Sequence, residues 1–342
     1  QTSNGQALFT SARITIFGIY SSNVYSKCIG CDNVKKYEAY LPYLAGFAVA
    51  LIFGLSFMFT KQALETLPTA LLLSSRFSLA ALLLTFLWLS GAIKINLKNK
   101  PLNKLMLLSL FQPIAYFIFE TTGVKLTSSS EAGIMIALIP VVVTIFAAVF
   151  LKERPGKSQL FFIISSVLGV IFIVLMSGSE NSTGHFAGIL SLFGAVLAAG
   201  VYNILSRKLS ANFTPVEITF AMMWTGAVVF SIISAVTGII NGNLDNYITY
   251  LSSASTLISI LYLSILSSVC AFFMMNYMLS KIPASNSSVF SNLTTVVSII
   301  AGVFIRHEAF HWYQFAGSII IILGVWGTNR CKPRHEIQLQ NK

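Results

Sequence analysis

From residue 42 onward, apolar blocks of about twenty residues alternate with short polar breaks. The blocks fall at 42–64, 68–90, 103–123, 131–151, 158–177, 186–206, 214–240, 255–280, 285–305 and 311–328. They do not alternate with period two, as half-buried strands would. A helix crosses a bilayer core of ~30 Å with about 20 apolar residues, so the pattern predicts an all-α integral membrane fold of ten transmembrane helices. Pro68, Pro155, Pro215 and Pro283 stand at block starts or in the breaks, where a missing N–H costs least. Pro113 and Pro140 lie inside the third and fourth blocks. Proline there frees carbonyls, which is tolerable only against other helices or a wet cavity.

Composition agrees with the pattern. Of 342 residues, 55% are apolar and 10% charged, whereas a soluble domain is about a quarter charged. A cytosolic enzyme, a disordered chain and a secreted disulfide scaffold are thereby excluded. The net charge of +11 is not spread as a nucleic-acid surface would be. With the N-terminus inside, the inner segments hold Arg13, Lys27, Lys35, Lys36, Lys94, Lys98, Lys100, Lys104, Lys152, Arg154, Lys157, Arg207, Lys208, Lys281, Arg330, Lys332, Arg334 and Lys342, which is 18 of the 22 basic residues. The outer loops hold Lys61, Lys125 and Arg306, and Arg76 lies within the second block. This positive-inside asymmetry predicts ten spans with both termini cytoplasmic, in the cell (inner) membrane.

The four cysteines do not suggest disulfides. Cys270 lies in the eighth block, Cys331 just after the tenth, and Cys28 and Cys31 form a single C-x-x-C in the inner tail, a weak zinc or redox signal without a second pair. Residues 1–41 form an N-terminal cytoplasmic appendage and 329–342 a C-terminal tail. Gln1 is expected of a processed, truncated or engineered end. The apolar stretch 8–20 is too short to span, is interrupted by Arg13 and lacks the marks of a signal peptide.

Sliding the chain on itself by 155 residues aligns blocks three to five with blocks eight to ten without a gap. Phe117 meets Phe272, Ser130 meets Ser285, Glu153 meets Glu308, Gln159 meets Gln314, and Gly169 meets Gly324. The first two blocks repeat more faintly, with Thr60–Lys61 near Ser206–Arg207 and Pro68 near Pro215. The chain thus divides into two units, 42–177 and 186–328. Each holds five spans, an odd number, so the second enters the membrane upside down. Inverted repeats offer two similar states in which either face of a central site opens, the basis of alternating access.

Particular residues also carry a family resemblance. Gly54-Leu-Ser56-Phe-Met-Phe-Thr-Lys61, then Pro68 and Arg76-Phe77, resemble the opening of the EamA-type transporters of the drug/metabolite transporter superfamily. The two Glu-x5-Gln-x9-Gly segments, Glu153/Gln159/Gly169 and Glu308/Gln314/Gly324, are similar to that family's mark at the fourth-to-fifth and ninth-to-tenth helix junctions. The resemblance covers about residues 42–328. It implies ten helices in two inverted five-helix repeats and transport of small organic molecules, often export. It leaves amino acids, metabolites, nucleotide sugars and drugs open as substrates. The N-terminal appendage and the Arg-His before Glu308 depart from the family pattern.

Chemistry-bearing residues are few. His307-Glu308-Ala309-Phe310-His311 spells H-E-x-x-H, which on a helix puts two zinc ligands and a base on one face. An intramembrane metalloprotease is therefore the rival from another class. Against it, Glu308 is the repeat partner of Glu153, which has no neighbouring histidine, and a third ligand is lacking, with His335 and Glu336 across the membrane. Glu308 would otherwise favour a helix dipole from near its N-terminus.

Arg76 is the one basic residue inside a span, and Glu120 the one acid; Glu131 and Glu217 sit at span ends. A charge at depth is costly unless paired or hydrated. Arg76 either makes a structural pair or binds an anionic substrate group. At ~1.5 Å rise per residue, Arg76 and Glu120 lie at similar depth and are expected to pair or to face one cavity. Glu120 is the candidate carrier if protons are coupled partners. Gln112, Tyr116 and Glu120 share one helical face and are expected to line a cavity. Ser56, Tyr202, Asn203, Trp224, Asn276, Tyr277 and Asn292 are further substrate-binding candidates, with interhelical hydrogen bonding or an aromatic belt as the structural role for each. No motif resembles an ATP site, no cofactor or metal is expected, and energy would come from gradients. The sequence thus predicts a non-enzymatic secondary transporter, an exporter of small organic metabolites such as amino acids or of drugs. The alternatives are an uncoupled facilitator or exchanger in the same fold, the protease, and a non-transporting receptor. Its partners are a small-molecule substrate and the lipid bilayer, with no nucleic acid.

Overall fold

The computed structural model describes residues 31–151, 156–177, 183–241, 253–282, 284–287 and 290–330. Cys28, Glu153, Pro155, Pro283 and the tail from 331 lie outside the described residues. Two compact units are distinguished, Gln1–Leu41 and Pro42–Lys342, of which the second holds the helical bundle.

Among the described residues ten long helices form where ten blocks are predicted, and there is no strand. They are α1 (Cys31–Leu64), α2 (Thr69–Leu89), α3 (Leu102–Leu126), α4 (Ser129–Ile136 continued by Ile139–Leu151), α5 (Lys157–Ser177), α6 (Thr183–Leu209), α7 (Pro215–Asn241), α8 (Ala254–Lys281), α9 (Phe290–Ile305) and α10 (Trp312–Arg330). A short turn, Ala284–Ser287, precedes α9. Seven of these, α1–α4 and α6–α8, are long and apolar enough to cross a bilayer; α5, α9 and α10 carry shorter apolar runs.

Local chemistry sets the ends. Pro68 precedes α2 with φ −58°, an angle proline holds without strain. Ser128 and Glu131 close a capping box on α4, each side chain bonding the other's backbone N–H and satisfying donors the helix leaves open. Thr214 and Glu217 do the same for α7. The interior prolines mark breaks. At Pro113, α3 loosens into a wide turn over Leu110–Ala115, with Gln112 extended (φ −146°, ψ 116°). At Pro140, α4 restarts after the turn at 137–138. Both breaks are buried against other helices.

The packing follows the repeat. Helices α2, α4 and α5 pack on α7, α9 and α10, each helix against the one five places further along. α3 packs on α6; its counterpart is α8 on α1, joined by Tyr262 Oη donating to the Ile52 carbonyl (3.0 Å) and by the Phe59–Tyr262 stack. The charges repeat as well. Lys61 Nζ donates to the carbonyls of Val124 (2.9 Å), Lys125 (3.2 Å) and Thr127 at the end of α3. Arg207 Nη1 donates to Leu279 and Ser280 (both 2.8 Å) at the end of α8. Val124–Lys125 and Leu279–Ser280 are 155 residues apart, and Lys61 aligns near Arg207. One cation thus closes the equivalent helix C-terminus in each repeat, at opposite ends of the bundle.

The repeated glycines have a steric reason. α5 and α10 cross where Gly169 and Gly317 face one another, an added Cβ on either lying 3.1 Å from the other's carbonyl oxygen. A Cβ on Gly324 would lie 2.8 Å from the backbone oxygen of Phe162 and the nitrogen of Ser166. Because backbone cannot swing aside, the approach requires glycine, as in close membrane helix crossings. Gly324→Ala is expected to destabilise the protein by about 1–3 kcal/mol, read as a lower unfolding midpoint in detergent. Gly156→Ala, where an added Cβ meets nothing within 4 Å, is expected to leave the midpoint unchanged. Equal midpoints would refute the steric reason for glycine at the crossing.

Candidate functional site

α2 buries one face through Leu72, Leu73, Phe77 and Ala80, and Arg76 lies on that face, 2% exposed. Its Nε donates to Ser268 Oγ and its Nη2 to Ser267 Oγ, both at 2.8 Å. The guanidinium carbon sits 4.3 Å from the centroid of the Phe117 ring, within cation–π range. The two serines lie on the wide-turned stretch Tyr262–Ala271 of α8, a departure from α-geometry often found at functional sites. All these partners are neutral. No carboxylate of the described residues comes within the 4 Å of an ion pair with Arg76.

Arg76 lines a cavity of about 690 Å³, its open side included. α3 contributes Gln112, Tyr116, Phe117 and Glu120; α1 contributes Phe53, Ser56 and Phe57; α6 contributes Ala199 and Asn203. Phe272, Met275 and Met278 of α8 and Phe290 of α9 complete much of an apolar wall, and α9 adds Ser291 and Thr294. The rings are locked edge to face, Phe53 on Phe272 at 5.2 Å and Phe77 on Phe117 at 5.0 Å. Glu120 is 2% exposed and accepts from Thr121 Oγ1 at 3.0 Å. Two further acceptors stand without a partner: Gln112 Oε1 and Asn203 Oδ1. Asn203 Nδ2 donates to the Ala199 carbonyl (2.8 Å), which orients the amide and leaves its oxygen open. An apolar lining with a few placed polar groups is the common form of a small-molecule site.

The two ends of the cavity differ. Its lining runs to Met278, Ser287 and Ser291, near the end that carries Lys94, Lys98, Lys100, Arg207 and Lys281. At the opposite end the chain is tied together. Glu308 Oε1 accepts from Ser129 N (3.0 Å) and Oγ (2.6 Å), and Oε2 from Ser130 N (3.1 Å) and Oγ (2.9 Å). Glu131 contacts His185 Nε2 (3.1 Å) and accepts from Gln314 Nε2 (3.1 Å). Arg306 Nη2 meets Glu65 Oε1 at 2.5 Å. Burial alone would raise the Glu308 carboxyl, but the four donors together hold it below the ordinary carboxylate value.

Six expected residues therefore meet in one cavity: Ser56, Arg76, Gln112, Tyr116, Glu120 and Asn203. Arg76 and Glu120 face it without a direct pair. Five others stand outside its lining. Tyr202 Oη and Ser206 Oγ both donate to Asn276 Oδ1 (2.9 and 2.8 Å), and Asn276 Nδ2 donates to Thr219 Oγ1 (3.0 Å), a satisfied network tying α6, α7 and α8. Trp224 Nε1 donates to Thr85 Oγ1 (3.0 Å) from a position 38% exposed. Tyr277 is buried elsewhere on α8, and Asn292 keeps a buried Oδ1 off the cavity. Sequence reasoning missed Ser267 and Ser268, although Ser264, Ser267 and Ser268 fall at helical spacing on one face.

The H-E-x-x-H segment is not a helix. Residues 306–311 form a connection, with His307 at φ +55°, so the two histidines do not share a helical face. Glu308 is occupied by serine donors, and no group of three metal-ligating side chains occurs among the described residues. The protease reading lacks its geometry.

Comparison with known proteins agrees with the fold. Residues 41–175 and 186–330 each match the EamA-like transporter family. The chain is 36% identical over 294 residues to the "Uncharacterized transporter YcxC" of Bacillus subtilis (strain 168), covering 86% of this chain and 94% of that one. It is 22% identical to the "Probable amino-acid metabolite efflux pump" of Escherichia coli (strain K12), covering 81% and 91%. A solved crystal structure shares the fold, with a TM-score of 0.60 and 17% identity over 84% of this chain and 95% of the other.

The Asn276 network is expected to act in stability. Asn276→Leu removes the acceptor of the buried Tyr202 and Ser206 hydroxyls, while Thr219 Oγ1 still donates to the Pro215 carbonyl, and is expected to cost about 1–3 kcal/mol, measured as a lower unfolding midpoint. An unchanged midpoint would return Asn276 to the candidates for solute contact.

Proposed function

Because the chain belongs to the EamA-like transporter family, a family of multi-pass membrane transporters, we propose that it exports small organic solutes by alternating access to the cavity around Arg76. The solute class we propose is an amino acid or related metabolite bearing a carboxylate. The observation that carries this reading is the buried guanidinium facing the cavity with neutral partners. A cation at membrane depth is costly unless compensated, and a solute carboxylate would compensate it while gaining a planar donor fork. Gln112 Oε1, Asn203 Oδ1 and the Glu120 carboxylate are open to the donors of an ammonium group, and the rings and methionines to an apolar side chain. The exporter names of two relatives, the Escherichia coli pump and the "Probable terminal-alkyne amino-acid exporter" of Streptantibioticus cattleyicolor, favour the same class.

Units 42–177 and 186–328 would rock about the site. Helix pairing at five-place intervals supports this, since nearly equivalent repeats make the two access states close in energy. Eighteen basic residues on one side favour a cell-membrane location with both termini cytoplasmic, so that the cavity lining leads toward the cytoplasm. Glu120, the buried acid of the cavity, is the proton carrier in this scheme.

Flux of labelled amino acids in proteoliposomes tests both parts. Arg76→Gln is expected to lower flux at least about tenfold, the loss typical of leaving a charge unpaired at a binding site. Glu120→Gln is expected to abolish stimulation by a proton gradient. Stimulation that survives in Glu120→Gln would leave the uncoupled facilitator or exchanger in its place.

A further inference from the structure

At the end of the bundle away from the lysine-rich loops, beside the Glu65–Arg306 and Glu131–Gln314 contacts, one carboxylate of the second repeat takes the N–H groups and hydroxyls of two serines of the first. α4 begins at Ser129 in the first repeat, and Glu308 lies 179 residues further on, in the connection between α9 and α10 of the second. A helix leaves its first N–H groups unbonded and its N-terminus partly positive. α4 meets that need partly from within, through Ser128 and Glu131. The N–H groups of Ser129 and Ser130 are taken instead by Glu308, which also accepts both hydroxyls, at 2.6–3.1 Å.

The surroundings are shaped for this contact. A Cβ on Gly302 would run into the Ser130 hydroxyl and the Glu308 carboxylate. Ser298 Oγ of α9 donates to the Ser129 carbonyl, and Thr295 Oγ1 to that of Gly133, both at 2.7 Å. Arg306 Nε stands 3.5 Å from Glu308 Oε1. The neighbouring His307 holds φ +55°, a conformation that costs energy and persists only where surrounding contacts enforce it. The Glu308 side chain is 12% exposed, so water can reach it when it lets go. A static apolar seal would offer no such exchange, whereas a carboxylate at the rim trades serine donors for water donors.

We infer that Glu308 is a reversible latch: seated on Ser129 and Ser130 it holds the α9–α10 connection against α4 and keeps that end of the cavity shut, and it must leave before that end opens. This rests on the alternating-access reading. Charge-assisted hydrogen bonds are about twice as strong as neutral ones, so the charge of Glu308 is what sets the hold.

The test needs no identified solute. Cys28, Cys31, Cys270 and Cys331 are replaced by serine and Ser56→Cys is introduced as a cavity reporter, in right-side-out and inverted vesicles. A membrane-impermeant thiol reagent then reads access from each face. In this parent, the reporter is expected to label readily from the lysine-rich face and slowly from the Glu308 face. Glu308→Gln, and separately Ser129→Ala with Ser130→Ala, are expected to raise labelling from the Glu308 face about tenfold or more. Combining them is expected to add little, because partners in one contact are not additive. Labelling from the lysine-rich face shows that each variant is folded; if Glu308→Gln fails that control, the serine pair decides. A parent that behaves as expected, with variants changed less than about twofold or with effects that multiply, overturns the latch alone. A parent labelled equally from both faces or from neither overturns the access reading and the latch with it.

Discussion

One fully buried guanidinium governs the middle of this protein. Arg76 could have been neutralised by a carboxylate, and Glu120 is present on the same cavity wall. The structure instead gives it two serine hydroxyls and a phenylalanine face. Neutral partners fix the direction of the guanidinium without cancelling its charge. Four helices must cooperate to do so: α2 carries the arginine, α8 the serines, α3 the ring, and α7 packs behind α2. The wide turns in α3, at Pro113, and in α8 fall where these groups converge.

Around that centre the two repeats perform the same tasks at opposite ends. Lys61 and Arg207 close equivalent helix C-termini, and the α5–α10 crossing uses glycine from both repeats. The bundle is not symmetric in its contacts, however. α4 and α9 touch closely where Gly133 meets Ser298, while at the other end their facing residues line the cavity. That asymmetry in an otherwise symmetric frame is what the proposed alternating access requires of a state with one face closed.

The fold was largely legible in the sequence, because span length and breaker residues are local and the bilayer allows few alternatives. The positions of Pro68, Pro113, Pro140 and Pro215 each marked a real start or break. The candidate site was half legible. Depth and rarity of charge singled out Arg76 and Glu120, and i, i+4 spacing placed Tyr116 one turn from Glu120; Gln112 also lines the cavity, but from the extended break before Pro113 and not from a shared helical face. Neither could tell Asn203, whose oxygen is open, from the adjacent Tyr202, whose hydroxyl is tied to Asn276. Neighbours on a helix point about 100° apart, and which one faces the cavity depends on packing. The H-E-x-x-H pattern misled for a related reason: its chemistry requires a helix, and Arg306–His311 is a connection. Ser267 and Ser268 look like ordinary small residues of a membrane helix until the arginine they hold is placed.

Arg76 as the receptor for a solute anion is the centre on which the proposed transport depends. Thermal unfolding of the purified protein, with a panel of amino acids, their amides, nucleobases and cationic drugs, tests that role most directly. The predicted result is a midpoint raised by one or more carboxylate-bearing solutes, not by the matching amide, with the rise lost in Arg76→Gln. A rise produced only by nucleobases or cationic drugs, or one undiminished in Arg76→Gln, would contradict it.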